Sequence, residues 1–378
     1  MLYAGLFAGL YLLVGTGDAN AQSGDSDDLT SGRIISIDPK TPKGILKVKQ
    51  AKDANPVDAT VGMLIHRGYL LTLNSAPTAK AAVICGDGKT RELVAGPQGC
   101  PCRKPCTPEV CGIRYGNSTI GRTRGPDTNL GLFPAVISPR QTLLGNLRPT
   151  IRWTPIAGAK EGTTYNVTLY GYSMKVIWSR DVASATRLAY PDNEPPLIPG
   201  QTYKVVVTTE GLSSQQDHSP GLGFTTFTAD QARALADEEI TKKQLGLPEM
   251  QTRFLVANLY AARGLYAEAI EQSEELFTTM KEPVVAEMLG DLYAAIGLNR
   301  EAEKRYLEAL GMTPASDLDG LGLIQKNLAE VYENLGIFDQ AIAQLEEAIK
   351  AYRQLGNIAT VNDLLKKIQQ LKKPGGGL

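Results

Sequence analysis

The hydrophobic pattern changes character several times along the chain, and each change marks a boundary. Leu2 to Val14 is an apolar run closed by Gly15-Thr16-Gly17. Residues 22–32 are polar and acidic and read as a disordered leader. Over 33–97 apolar and polar residues alternate in the manner of strands, at Gly44–Lys49, Tyr69–Leu73 and Lys80–Cys85. Gly86-Asp87-Gly88 then supplies the turn of a hairpin, because Asp-Gly tolerates positive φ. Residues 98–148 are rich in Pro, Gly and Cys and read as an irregular excursion and linker. Alternation returns over 149–228, at Thr150–Trp153, Tyr165–Tyr170, Lys204–Val207 and Gly223–Phe227, which predicts a β-sandwich. Tyr203, just after Pro199-Gly200, suggests a tyrosine corner whose hydroxyl bonds upstream backbone. From Ala229 the period becomes about 3.6. Ala229–Leu245 predicts a helix stopped by Gly246 and Pro248, and helices with short glycine breaks continue to Leu371. Residues 373–378 are expected to form a flexible tail. The fold class predicted is multidomain: an N-terminal all-β module, a β-sandwich, and an all-α unit over 229–372.

The helical part repeats. Its first segment has Ala257, Tyr260, Gly264 and Ala269. The second has Gly290, Tyr293, Gly297, Ala302, Tyr306, Ala309 and Pro314, and the third has Ala329, Tyr332, Gly336, Ala341, Leu345 and Ala348. Small-x-x-Tyr-x3-Gly-x4-Ala resembles the tetratricopeptide (TPR) signature. Small residues let helix A lie close to helix B, the tyrosine fills the space between pairs, and the glycine caps helix A in the left-handed region. The tyrosines stand 33 and 39 residues apart, so an insertion is placed around Ala315–Leu321. Ile358–Leu371 is expected to cap the stack. The resemblance implies a concave groove lined by Asn258, Glu287, Asp291, Lys326, Glu330, Glu333 and Asn334. That groove leans acidic and would take a neutral-to-basic protein or peptide segment. The competing reading is an array that serves only as a spacer with a solvated surface.

Bulk properties narrow the function classes. With 43% hydrophobic residues there is material for real cores, and with net charge −1 there is no basic stripe, so nucleic acid is not an expected partner. Ala19-Asn20-Ala21 after the apolar run fits a signal peptide over 1–21. The run is shorter than the ~20 residues of a membrane-crossing helix, so no span is expected in the mature chain. A basic n-region is missing, the first cation being Arg33, which fits a start lying upstream. Asp18 is the sole charge in 1–21, so cleavage takes the net charge from −1 to 0. The expected location is periplasmic or secreted. Five cysteines, Cys85, Cys100, Cys102, Cys106 and Cys111, agree with an oxidising compartment and are disulfide candidates, with one left over.

Two further resemblances cover the β regions. Gly44-x-Leu46-x-Val48, Val61-Gly62-x-Leu64-x-x-Gly68-x-Leu70-Leu71-Thr72 and Gly86-Asp87-Gly88 resemble the FecR-like domain of bacterial envelope proteins, though that family usually has Gly-Asp where Gly68-Tyr69 stands. Trp153, the Tyr165 strand, the L-x-P-G-x-x-Y turn and Phe224-x-x-Phe227 resemble a fibronectin type III domain. The combination with TPR repeats resembles exported cyanobacterial envelope proteins. The resemblance implies a clasp between Cys85 and Cys100, leaving Cys102, Cys106 and Cys111 to share one bridge and one free thiol.

Several sites fail on inspection. Gly86-Asp87-Gly88-Lys89-Thr90 lacks the first glycine of a P-loop, position 83 being Val. The C-x-C-x3-C-x4-C spacing is not that of paired zinc knuckles. His66 and His218 stand apart, there is no G-x-S-x-G, and the helix carboxylates have the spacing of a solvated face. Asn117-Ser118-Thr119 and Asn166-Val167-Thr168 are sequons whose meaning depends on the host. No cofactor, metal or catalytic residue is implied. The expected function is a non-enzymatic envelope adaptor that binds a protein through the groove. The rivals are an enzyme or accessory factor acting on the cell wall or a polysaccharide, which would need a cleft with convergent carboxylates and exposed aromatics, and an envelope sensor working through the FecR-like module.

Overall fold

The computed structural model describes residues 30–38, 45–51, 55–66, 68–74, 79–87, 89–102, 104, 132–171, 174–217 and 222–373. Two antiparallel sheets make the first module. One holds β1 (Thr30–Asp38), β4 (Leu64–His66), β6 (Lys80–Cys85) and β7 (Thr90–Glu92) in the order β4-β1-β6-β7. The other holds β2 (Leu46–Lys49), β3 (Val57–Asp58), β5 (Leu70–Leu73) and β8 (Gly96–Gly99) in the order β3-β2-β5-β8. Ile34, Leu46, Val48, Ile65, Leu71 and Val83 fill the space between them. β5 alternates buried and exposed, as a strand with one wet face should. β6 is buried from Ala81 to Cys85, so its second face is covered as well.

β1 begins inside the stretch expected to be a leader. Ser31 is fully buried and Gly32 pairs with Cys85, so ladder hydrogen bonds recruit residues whose polarity alone suggested disorder. The cysteine pairing also differs from the Cys85–Cys100 expectation: the bond joins Cys85 to Cys102. β8 stays paired with β5 through Gly99, which leaves Cys100 half-exposed at the sheet edge, its Sγ 3.2 Å from Ser31 Oγ. Cys102 turns back inward beneath Gly32, where an added Cβ would come within 2.6 Å of its sulfur. Cys106 and Cys111 lie outside the described residues.

The sandwich is built from β9 (Val136–Ser138), β10 (Thr142–Leu144), β11 (Ile151–Trp153), β12 (Thr164–Tyr170), β13 (Val176–Ala183), β14 (Arg187–Leu188), β15 (Thr202–Thr209), β16 (Leu212–Ser213) and β17 (Phe224–Thr226). A three-stranded sheet, β14-β11-β9, faces a six-stranded one, β10-β17-β15-β12-β13 with β16 on β15. Trp153, Tyr165, Leu169, Trp178, Val207 and Phe224 pack between them. The Ile198 N–H donates to Tyr203 Oη at 2.8 Å, which is the corner bond expected from sequence. β9 and β10 fall in the expected linker. They belong to the sandwich because β9 pairs β11 and β10 pairs β17 in parallel.

Among the described residues the rest of the chain is eight helices: α1 (Ala229–Lys243), α2 (Glu249–Ala262), α3 (Tyr266–Met280), α4 (Pro283–Ala295), α5 (Asn299–Met312), α6 (Leu318–Asn334), α7 (Phe338–Gln354) and α8 (Ile358–Leu371). None is long and apolar enough to cross a membrane. α2–α3, α4–α5 and α6–α7 are the three TPR-like pairs. Gly264, Gly297 and Gly336 end the first helix of each at φ 75°, 77° and 73°, a region that suits glycine. Where Gly290 faces α5, the Tyr306 ring sits where a side chain would be: an added Cβ would lie 2.6 Å from it. The expected insertion appears partly as the 313–317 turn. The remainder is extra helix at the start of α6, which has 17 residues against 13 in α4.

Gly290→Val should therefore destabilise the protein by about 3 kcal/mol, because the overlap falls on a ring whose hydroxyl is already bonded. Gly311→Ala, in open space on α5, should gain roughly 0.5 kcal/mol. Chemical denaturation of the two variants checks both signs.

Candidate partner-binding surface

The expected groove residues divide into two sets. Asn258 is 1% exposed, and its Nδ2 donates to the Phe254 carbonyl at 2.9 Å within α2. Asp291 is 6% exposed, and its Oδ1 accepts from Tyr306 Oη at 2.5 Å and from Asn327 Nδ2 at 3.1 Å. These two knit the array from inside rather than face a partner. Asp291 joins α4, α5 and α6 in one polar node, and a buried carboxylate needs such donors. Glu287, Lys326, Glu330, Glu333 and Asn334 are half-buried on α4 and α6. Of these, Glu333 holds Lys367 of α8 at 2.6 Å, so it fastens the capping helix.

The first helices of the pairs meet the first β module. On α2, Leu255 packs among Ile35, Ala82 and Ile84, which explains why β6 is buried on both faces. Arg33 stacks over the Phe254 ring at 4.9 Å and donates to the Gly62 carbonyl at 2.9 Å. On α4, Val284 presses against Gly62, where a Cβ would come within 2.5 Å. On α6 the contact is polar and falls on the inserted turn. Asp317 caps the helix by accepting from the Gly320 N–H at 3.1 Å and also accepts from Gln50 Nε2 at 2.6 Å. The Asp319 N–H donates to Gln50 Oε1 at 3.3 Å, and Asp319 Oδ2 lies 2.7 Å from His66 Nε2. Burial pushes the Asp317 carboxyl up, and the Gln50 bond opposes that. Burying a large aliphatic side chain is worth about 1.5–3 kcal/mol, against about 1 kcal/mol for a partly exposed ion pair. The apolar α2 end is therefore the stronger part of the contact.

The sandwich grips the array at the turns. The Leu143 N–H donates to the Gly264 carbonyl at 2.9 Å, and Thr142 Oγ1 donates to the same oxygen at 3.1 Å. Arg140, buried, donates from Nε to the Ile296 carbonyl at 2.9 Å and pairs with Asp217 at 2.5 Å. Arg152 forks onto Glu274 at 2.7 and 3.0 Å, and Tyr293 Oη donates to that carboxylate at 2.5 Å. Burial alone would raise the Glu274 carboxyl; the Arg152 and Tyr293 bonds overcome it and hold it below the usual range. Glu268 is the opposite case. Its Oε1 accepts from the Gly145 and Asn146 N–H groups at 2.7 and 3.1 Å, while burial, the larger effect, pushes the carboxyl up. Sequence reasoning missed these interface residues because the bonds between the sandwich and the helices each span more than a hundred positions and leave no local pattern. Among the described residues, no three His, Cys, Asp or Glu side chains are placed to hold a metal ion.

A carboxyl raised in the folded state contributes stability that is complete below its unfolded pKa and is lost as pH rises through the folded one. The stability of the wild type relative to Glu268→Gln should thus fall as pH rises from 4.5 toward neutrality. The fall should be about 1.4 kcal/mol for every tenfold by which folding tightens the carboxyl's hold on its proton. Parallel urea profiles for the two proteins across that range would contradict the assignment.

No protein-family model matches the sequence, and no curated protein matches it. Among solved structures, the chain is similar to the crystal structure of MamA, at 19% identity over 38% of this chain and 88% of that one, with a TM-score of 0.27.

Proposed function

We propose that the protein is a non-enzymatic, protein-binding scaffold exported to the bacterial cell envelope, with the first helices of the TPR-like pairs as its partner-binding face. The observation that carries this reading is the acidic balance of the half-buried polar side chains on that face. Glu287 and Glu330 stand there beside Lys326, and Glu333 is taken by Lys367 of α8. That balance favours a neutral-to-basic segment. The Cys85–Cys102 bond supports an oxidising compartment. The Ile198–Tyr203 corner bond supports a fibronectin type III-like reading of the sandwich, and the compact two-sheet module is compatible with a FecR-like one. A polysaccharide-binding role would use exposed aromatic faces, but Trp153 and Trp178 are 1% and 3% exposed.

The test is affinity capture from envelope extract with the wild type, Glu287→Lys, Glu330→Lys and, as a control on the outer helix α7, Glu347→Lys. Asp291 and Glu333 are unsuitable because their bonds hold the array together. A partner recovered by the wild type and the control, and reduced about tenfold with either groove variant, supports the reading; tenfold is about 1.4 kcal/mol. Equal recovery with all four proteins contradicts it.

A further inference from the structure

An array that meets partners through its first helices leaves one face of each open to water. α4 has no such face: from Val285 to Ala295 every residue but Glu287 is buried. The chain's own β units cover it. The sandwich closes one end, with Ile137 against the helical core and Arg140 on the Ile296 carbonyl. The first β module closes the other end and reaches all three first helices. It meets Leu255 on α2, Val284 on α4, and Asp317 and Asp319 at the start of α6. All five cysteines lie at or before Cys111, so no disulfide within the chain can tie this module to the helices. The module has its own core, around Ile34, Val48, Leu71 and Val83, and its own Cys85–Cys102 bond, so it can come away as a folded body. Its joint with the array is incompletely filled: a cavity of about 40 Å3 remains among Gly62, Met63, Val284, Glu287 and Ile324.

We propose that the first β module is a displaceable cover, which occupies the partner face with the chemistry a partner would use and gives way to it. Arg33 lays its guanidinium over the Phe254 ring at 4.9 Å. Gln50 Nε2 donates to Asp317 at 2.6 Å, and His66 Nε2 lies 2.7 Å from Asp319. The module thus offers one cation and two polar side-chain nitrogens to an aromatic and acidic surface, as a neutral-to-basic segment would. Glu287, assigned above to the partner, lines the same joint. The competition rests on that assignment; the lifting of the module does not. A partner presenting a cation to Phe254 and donors to Asp317 and Asp319 takes the module's place. Its apparent affinity is then reduced in proportion to the fraction of molecules whose face is uncovered.

Thiol labelling of the whole chain tests this. Ala82 of β6 packs with Leu255 of α2, whereas Val48 sits in the module's own core and Val285 in the array's. Ala82→Cys, Val48→Cys and Val285→Cys are made separately and treated with N-ethylmaleimide, and the adduct at each position is followed by peptide mass spectrometry. Position 82 should label about tenfold faster than 48 and 285, because lifting exposes the first and only unfolding exposes the others. Adding Gln50→Ala, which removes two bonds to the start of α6, should speed labelling at 82 about tenfold again and leave 48 and 285 unchanged. Gln50→Ala alone should strengthen capture of the partner recovered with the wild type by the same factor. Labelling at 82 no faster than at 48 and 285 overturns the proposal. So does faster labelling in Gln50→Ala with capture of that partner unchanged. If neither protein captures a partner while labelling at 82 still responds to Gln50→Ala, the cover stands and the partner reading alone fails.

Discussion

How closely α4 can approach α5 governs the rest of the molecule. With no side chain at Gly290, the Tyr306 ring occupies the space, and its hydroxyl reaches Asp291, which in turn takes the Asn327 amide of α6. One close approach thus fixes the spacing of three helices and the angle between neighbouring pairs. Ala257, Ala302 and Ala341, all fully buried, apply the same rule elsewhere in the stack. From this spacing follow the two surfaces that matter: the face made by the first helices, and the edge made by the glycine turns.

Each surface receives a different β unit. The sandwich reads the turns through backbone: the carbonyls of Gly264 and Ile296 accept bonds from β10 and Arg140. Such carbonyls are left over at any helix end, so the fit exploits groups that must be satisfied somewhere. The first module reads the helix face through side chains, and its polar contacts exist because of the insertion. Without the added turn on α6, Asp317 and Asp319 would not stand opposite Gln50 and His66. A departure from the regular repeat length therefore adds a polar contact to the stronger apolar one at Leu255.

The sequence made the locally encoded parts legible. Period two announced β2, β5, β11, β12 and β15, an apolar run marked β6, period 3.6 announced the helices, and the recurrent Ala, Tyr and Gly marked the pairs. The Tyr203 corner was readable because its bond closes within five residues. What stayed hidden depends on partners far along the chain. Ser31 looks like leader until Gly32 pairs with Cys85. Cys100 and Cys102 differ in sequence by only two places, and only the end of the β5–β8 ladder decides which one turns inward. Asn258 and Asp291 carry groove-type polarity, yet the close helix packing draws both into the interior. The continuous apolar run of β6 did hold a clue, since a strand with one wet face would have alternated.

Above all, the first β module and the helical array hold each other by non-covalent contact. A protease site inserted between residues 112 and 131 and cleaved after folding tests this directly, because the Cys85–Cys102 bond lies wholly on one side of the cut. Size-exclusion chromatography at micromolar concentration and pH 6, without reductant, should show the two fragments eluting together. Elution of the β module as a separate species under those conditions would contradict the account.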